Sequence, residues 1–132
     1  TGARVVAPAK SGAAVPEADL HVGEGDTVAV GSLGAAVWET PGHCQDHVTY
    51  WFEEENLLFP GDVLFVMGCG RIVSGAAPPL WTSLSRCAAL ADETVFVCGH
   101  DYTWSNARFA LAADPDNAEV RARAAQAERA AA

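Results

Sequence analysis

The sequence predicts an α/β fold, with strands gathered in the first half of the chain and helices in the second. Three observations carry this. Residues 1–60 break into short β-branched and aromatic runs joined by turns. Residues 66–79, "VMGCGRIVSGAAPP", are rich in glycine and proline and read as an irregular surface loop. From Leu80 onward the apolar residues fall at helical spacing, interrupted by one strand-like run. The chain has 132 residues, of which 50% are hydrophobic. That fits one domain over residues 1–132 with enough apolar surface for a core.

The elements follow in order. "ARVVAP" is a short apolar strand, and "DTVAV" and "AAVWET" are β-branched strands separated by the turn "GSLG". "HVTYWFEE" is aromatic-rich and moderately alternating, and a charged turn at Glu53–Asn56 leads into "NLLFPGD". Close strands with short turns imply a mostly antiparallel sheet. Leu80, Leu84 and Cys87/Ala88 define one apolar helix face. "ETVFVCG" reads as a buried strand, and "SNARFALAA" as a short helix with Ser105 at its N-cap. "DPDN" punctuates. The alanine-rich "AEVRARAAQAERAAA" is a helix by propensity, but Val120 is its one large apolar residue, so packing should hold it weakly and its end should fray.

Charge and cysteine content exclude several classes. The net charge is −9, which argues against nucleic acid and anionic lipid as partners. Between Lys10 and Arg71 there is no Lys or Arg, while ten carboxylates fall in that span. Most belong to a solvated acidic surface; one or two suit a cation. No apolar run approaches the ~18 residues that a membrane span needs. No signal peptide opens the chain, and it lacks an initiator Met, so it is expected to be processed, trimmed or cut from a longer one. Cys44, Cys69, Cys87 and Cys98 form no C-x-x-C pair. Cys87 and Cys98 read as small buried hydrophobes, and the pattern implies a reducing, cytoplasmic compartment.

Three strand ends carry polar residues that do not fit a core: His43 in "TPGHCQDH", Asp62 after "LLFPG" and His100 after "VFVCG". Ligands distant in sequence converge when strands end on one edge of a sheet. The separation of positions 43, 62 and 100 suits such assembly and not a zinc finger. Imidazole nitrogen with carboxylate oxygen suits zinc, iron or manganese, and a carboxylate has two oxygens with which to bridge two ions. On spacing alone each of these residues also reads as a turn, cap or core group. His21 has no such partners and reads as structural.

The stretches "TPGHCQDHVTYWF", "LLFPGDVLFVMGCGR", "TSL", "VFVCGHDYTWSNARFA" and "DPDN" together resemble the glyoxalase II family, the hydroxyacylglutathione hydrolases of the metallo-β-lactamase superfamily. The resemblance covers most of residues 35–117 and is looser over residues 1–34. It implies an αββα sandwich of which this chain holds mainly the second half. It implies two divalent metal ions, with zinc first and iron or manganese as alternatives. His43 would bind the first metal, Asp62 would bridge, and His100 would bind the second. Asp46 and His47 fall outside the implied ligand set, His47 as a supporting residue. Arg71 and Tyr102 match positions that contact glutathione.

The implied reaction is hydrolysis of S-D-lactoylglutathione to D-lactate and glutathione by a metal-bridging hydroxide, part of methylglyoxal detoxification. No protein nucleophile is required, neither Cys44 nor Cys69. Two departures stand out. The family has an aromatic residue and then Glu-Gly-Thr after the "CGR" basic position, where this chain has Val73 and Ser74. The family's H-x-H-x-D-H motif is absent from this sequence. The partners expected are therefore a glutathione thioester and the missing N-terminal half, and this chain alone is expected to be inactive. Two alternatives stay open: a persulfide dioxygenase of the same superfamily, and a non-catalytic fragment.

Overall fold

A computed structural model describes residues 2–131. Strand β1 (Val6–Pro8) leads through a 3-10 segment, Ala9–Ala14, to β2 (Leu20–Val22). Then come β3 (Thr27–Val30), β4 (Leu33–Glu39), β5 (Val48–Phe52), β6 (Leu57–Gly61), β7 (Leu64–Phe65) and β8 (Gly68–Cys69). The second half holds α1 (Ala77–Ala88), β9 (Val95–Cys98), α2 (Thr103–Ala113) and α3 (Ala118–Ala131).

The main sheet has the order β3-β4-β5-β6-β9. Its first four strands pair antiparallel and β9 joins β6 in parallel. A parallel ribbon of β1 and β2 lies apart from it. Side chains alternate across a strand, so each face collects its own core. On one face Trp51 and Leu58 pack with Cys87 of α1, together with Trp38 and Phe96. On the other, Val28 and Val37 pack with Val22 of the ribbon, joined by Val6, Leu20 and Tyr50. The result is a helix layer, a sheet and part of a second sheet, the α/β architecture the sequence predicts. A cation–π contact and two ion pairs tie the layers together: Arg86 of α1 lies 4.0 Å over the Trp38 ring and 2.9 Å from Glu24, and Lys10 pairs with Glu39.

Several elements depart from expectation. "ETVFVCG" is not a buried strand. Val95 is 59% exposed and Val97 46%, and only Phe96 turns toward α1. The reason is topological: β9 is an edge strand, and the ribbon covers the opposite end of that face. Cys98 is accordingly half-buried and not a core residue. The 66–79 loop contains the short strand β8 and ends early, because α1 begins at Ala77 with prolines in its first turn. A first-turn proline loses no helical hydrogen bond. The strand β2 was not expected; three residues among polar neighbours show no period. Ser105 is not an N-cap: α2 begins at Thr103, whose N–H donates to Asp101 Oδ1 at 3.1 Å, and the Ser105 hydroxyl donates to the Tyr102 carbonyl.

The alanine-rich helix is better held than its composition implies. Asn117 Oδ1 accepts from the N–H groups of Glu119 and Val120, capping α3. Ala124 and Ala127 are buried against Ala107 of α2, where small side chains let the two helices approach closely. Ala107→Leu is expected to overpack this contact and to destabilise the protein by about 1–3 kcal/mol, read as a lowered midpoint of urea unfolding. An unchanged midpoint would show that the two helices do not depend on each other.

Candidate metal centre

Strands β4, β6 and β9 all run in one direction, because β5 alone separates β4 from β6 and reverses between them. Their carboxyl ends therefore share one edge of the sheet. Thr40–His47 follows β4, Asp62 follows β6, and Gly99–His100 follows β9. This is how residues far apart in sequence arrive at one place. His43, Asp62, Arg71, His100 and Tyr102 all line a single cleft of about 470 Å³.

Asp62 lies between the two histidines. Its Oδ2 is 3.6 Å from His43 Nε2 and its Oδ1 is 3.6 Å from His100 Nε2. These distances exceed an N–H···O hydrogen bond. They approach the ~3.4 Å that separates nitrogen and oxygen on one tetrahedral ion with bonds near 2.1 Å. The tautomer of His43 agrees. Its Nδ1 lies 2.7 Å from the Arg71 carbonyl, which can only accept, so Nδ1 carries a proton and, in the neutral ring, the Nε2 lone pair faces the carboxylate. The donor set thus fits divalent ions, with one imidazole and one carboxylate oxygen at each of two positions. Among the described residues no three His, Cys, Asp or Glu side chains close on a single ion.

Three glycines make the close approach around Asp62 feasible. A Cβ on Gly70 would stand 1.8 Å from the Asp62 carbonyl oxygen, and one on Gly99 would stand 2.5 Å from Asp62 Oδ1. Gly61 adopts φ +53°, and a Cβ there would meet His47 Nε2 at 2.7 Å. His47 itself accepts the Asp62 N–H at 3.2 Å. Burial pushes the His47 imidazolium down, with the neighbouring His43 adding to the effect.

The neighbours of His43 in "TPGHCQDH" turn elsewhere. Asp46 accepts from the Ser11 hydroxyl at 2.7 Å, the main reason its carboxyl titrates below the usual range. Burial, with Asp46 next, pushes the Cys44 thiol up to about 11, so it is not a thiolate at neutral pH. The Arg71 guanidinium forms no ion pair among the described residues. Tyr102 stacks on His100 with ring centroids 5.1 Å apart and meets the Phe65 edge at 5.2 Å. Val73 lines the cleft, and its N–H and that of Ser74 both donate to the His43 carbonyl. The loop at this departure from the family pattern is thus tied to the site by backbone.

Sequence reasoning missed two contributors. Asn106 of α2 donates to the Val66 carbonyl at 3.0 Å, and the Gly68 backbone passes close against its side chain, so α2 anchors the loop that carries Arg71. Nothing in the local pattern marks this asparagine. Phe65 supports both His100 and Tyr102, and in sequence it is one more apolar strand residue.

Comparison with known proteins shows the family. The sequence model of the metallo-beta-lactamase superfamily matches residues 3–100. The chain is 66% identical over 129 residues to a hydroxyacylglutathione hydrolase of Methylobacterium sp. (strain 4-46), covering 98% of this chain and 51% of that protein. The chain spans about half the length of the curated relatives it matches. Among solved structures it resembles ETHE1 from Myxococcus xanthus, with a TM-score of 0.68 and 39% identity over 77% of this chain and 44% of that one. It also resembles TTHA1623 in a di-iron-bound form, with a TM-score of 0.53 and 30% identity over 61% of this chain and 39% of that one. A three-stranded edge that aims His43, Asp62 and His100 into one cleft, and a family match that spans all three, place the chain in the metallo-beta-lactamase superfamily.

Proposed function

We propose that the chain carries the His43–Asp62–His100 face of a two-metal hydrolase centre acting on a glutathione thioester, converting S-D-lactoylglutathione to D-lactate and glutathione. The observation that carries this reading is the position of Asp62, with each carboxylate oxygen facing a different imidazole Nε2. Identity of 66% to a hydroxyacylglutathione hydrolase supports it. Divalent ions bound there, zinc for preference, supply an activated water and polarise the thioester carbonyl. Water adds across the C–S bond: its oxygen joins the acyl carbon, and its proton ends on the departing sulfur.

The chain's own residues hold and orient. His43 and His100 each offer one Nε2, and Asp62 offers both oxygens. Arg71, with no carboxylate of its own, is suited to a carboxylate of the anionic tripeptide. Tyr102 is held by His100 and Phe65 so that its phenol can meet the substrate. Each ion position has two donors here, and a structural or catalytic zinc takes three or four protein ligands. An H-x-H-x-D-H segment preceding these residues would supply the rest, and its elements would cover Phe59, Val95 and Val97, which lie exposed on the sheet. Four free cysteines accord with a cytoplasmic setting.

A thioesterase assay on the metal-loaded full-length protein tests this. Turnover of S-D-lactoylglutathione is expected. Its absence, with oxygen consumption on glutathione persulfide instead, would replace hydrolysis by the dioxygenase alternative. In the same assay Cys69→Ala is expected to keep kcat within about twofold. A loss of about a thousandfold, the scale of a missing nucleophile, would show that the cleft thiol attacks the substrate.

A further inference from the structure

His47 takes no part in the donor set, yet its two ring nitrogens are both engaged. Nε2 faces the backbone N–H of Asp62 at 3.2 Å. An amide N–H can only donate, so Nε2 must carry the lone pair. The single ring proton then sits on Nδ1, 2.9 Å from the Thr40 hydroxyl. Thr40 is fully buried and lies 2.8 Å from the hydroxyl of Thr49, also fully buried. The Thr40 hydroxyl accepts from Nδ1–H, and one of the two threonine hydroxyls donates to the other. The main chain is tied at the same place: the Thr40 N–H donates to the His47 carbonyl at 2.9 Å. The ring therefore has one orientation and one tautomer in which every polar atom is satisfied.

The other end of the contact is equally constrained. Gly61 turns with positive φ, and a side chain there would collide with His47 Nε2. The Gly61 carbonyl accepts from the Gly99 N–H at 3.1 Å, and the Gly70 backbone closes on the Asp62 carbonyl. The Gly61–Asp62 peptide is thus held at both of its polar atoms, the Gly61 carbonyl by Gly99 and the Asp62 N–H by His47, while Gly70 crowds the carbonyl of the next peptide.

We infer that His47 is a positioning residue: its Nδ1–H tautomer, locked by the Thr40–Thr49 hydroxyl pair, holds the Asp62 amide and so aims the Asp62 carboxylate between His43 and His100. The inference rests on the metal-centre reading for its consequence, but the hydrogen bond itself does not. Residues that orient a metal ligand typically alter ion affinity by roughly 10–100-fold when removed.

Two substitutions separate the roles of the two nitrogens. Glutamine places an acceptor oxygen near the position of Nε2 and abandons Thr40. Asparagine keeps a donor near Nδ1 and abandons Asp62. In the full-length protein, competition with a chromophoric chelator would report zinc affinity for each. His47→Gln is expected to stay within about threefold of the unsubstituted protein and His47→Asn to fall by roughly 10–100-fold. Equal losses, or a larger loss in the glutamine variant, would overturn the inference. Imidazole 15N shifts of the unsubstituted, metal-free protein give a readout independent of ions and of variant folding. A protonated Nδ1 and a bare Nε2 are expected, and a proton on Nε2 would overturn the inference. Failure of the unsubstituted protein to bind zinc would count against the metal centre, and the 15N shifts would still decide the role of His47.

Discussion

Asp62→Ala is expected to abolish ion binding at both positions and to lower kcat/KM by at least roughly a thousandfold, since lost charge stabilisation of several kcal/mol costs tenfold per ~1.4 kcal/mol. The size follows from geometry. Among the described residues no other carboxylate lines the cleft, and Asp62 alone faces both imidazoles. Asp62→Asn should be intermediate in ion binding. It keeps one carbonyl oxygen for one position and turns an amide NH₂, which can only donate, toward the other. Metal content by mass spectrometry of the purified variants, read beside thioesterase rates, checks both. Two ions retained in the alanine variant would remove Asp62 from the centre.

Gly70→Ala is expected to be the most destabilising single-methyl addition at the site. The added carbon would stand 1.8 Å from the Asp62 carbonyl oxygen and 3.2 Å from His43 Nδ1. The first neighbour is backbone, so it cannot swing aside as a long side chain would. Relief must come from moving the Asp62 turn or the Gly70 loop, and both are pinned: Gly70 N–H donates to the Val63 carbonyl at 3.2 Å. Overpacking of this kind costs about 3 kcal/mol, which lowers Tm by about 10 °C in a domain of this size. Gly34→Ala is the control. Its Cβ would meet only the Thr27 methyl at 3.6 Å, an ordinary contact, and its Tm should move by no more than about 2 °C. Equal shifts in the two variants would mean that the crowding at Gly70 relaxes freely.

The legible part of the fold was the part with a period. β4 and β5 announce themselves in "AAVWET" and "HVTYWFEE", and Leu80 with Cys87 marks the buried face of α1. What lay outside the pattern was missed for identifiable reasons. A three-residue strand such as β2 is too short to alternate. "VFVC" reads as buried because hydropathy records what a strand could cover, and not whether a neighbour covers it. The α2–α3 contact is made by alanines, which carry little hydrophobic signal one at a time.

The site divides in the same way. His43, Asp62 and His100 were visible because polar residues at the ends of apolar strands conflict with the local pattern. Arg71 was visible as the first base after a long acidic span. His47 read as a supporting residue outside the ligand set, with no partner identified. Its link to Asp62 depends on a tautomer and a peptide plane, and neither is encoded in residue type. Asn106 and Phe65 act through the loop and rings they support, which become apparent only when helix α2 is seen beside β7 and β8.

Anomalous diffraction from zinc-soaked crystals of the full-length protein tests the central reading most directly. Two peaks flanking the Asp62 carboxylate are predicted, one bonded to His43 Nε2 and Oδ2 and the other to His100 Nε2 and Oδ1. Peaks elsewhere, or none at this carboxylate under saturating zinc, would contradict it.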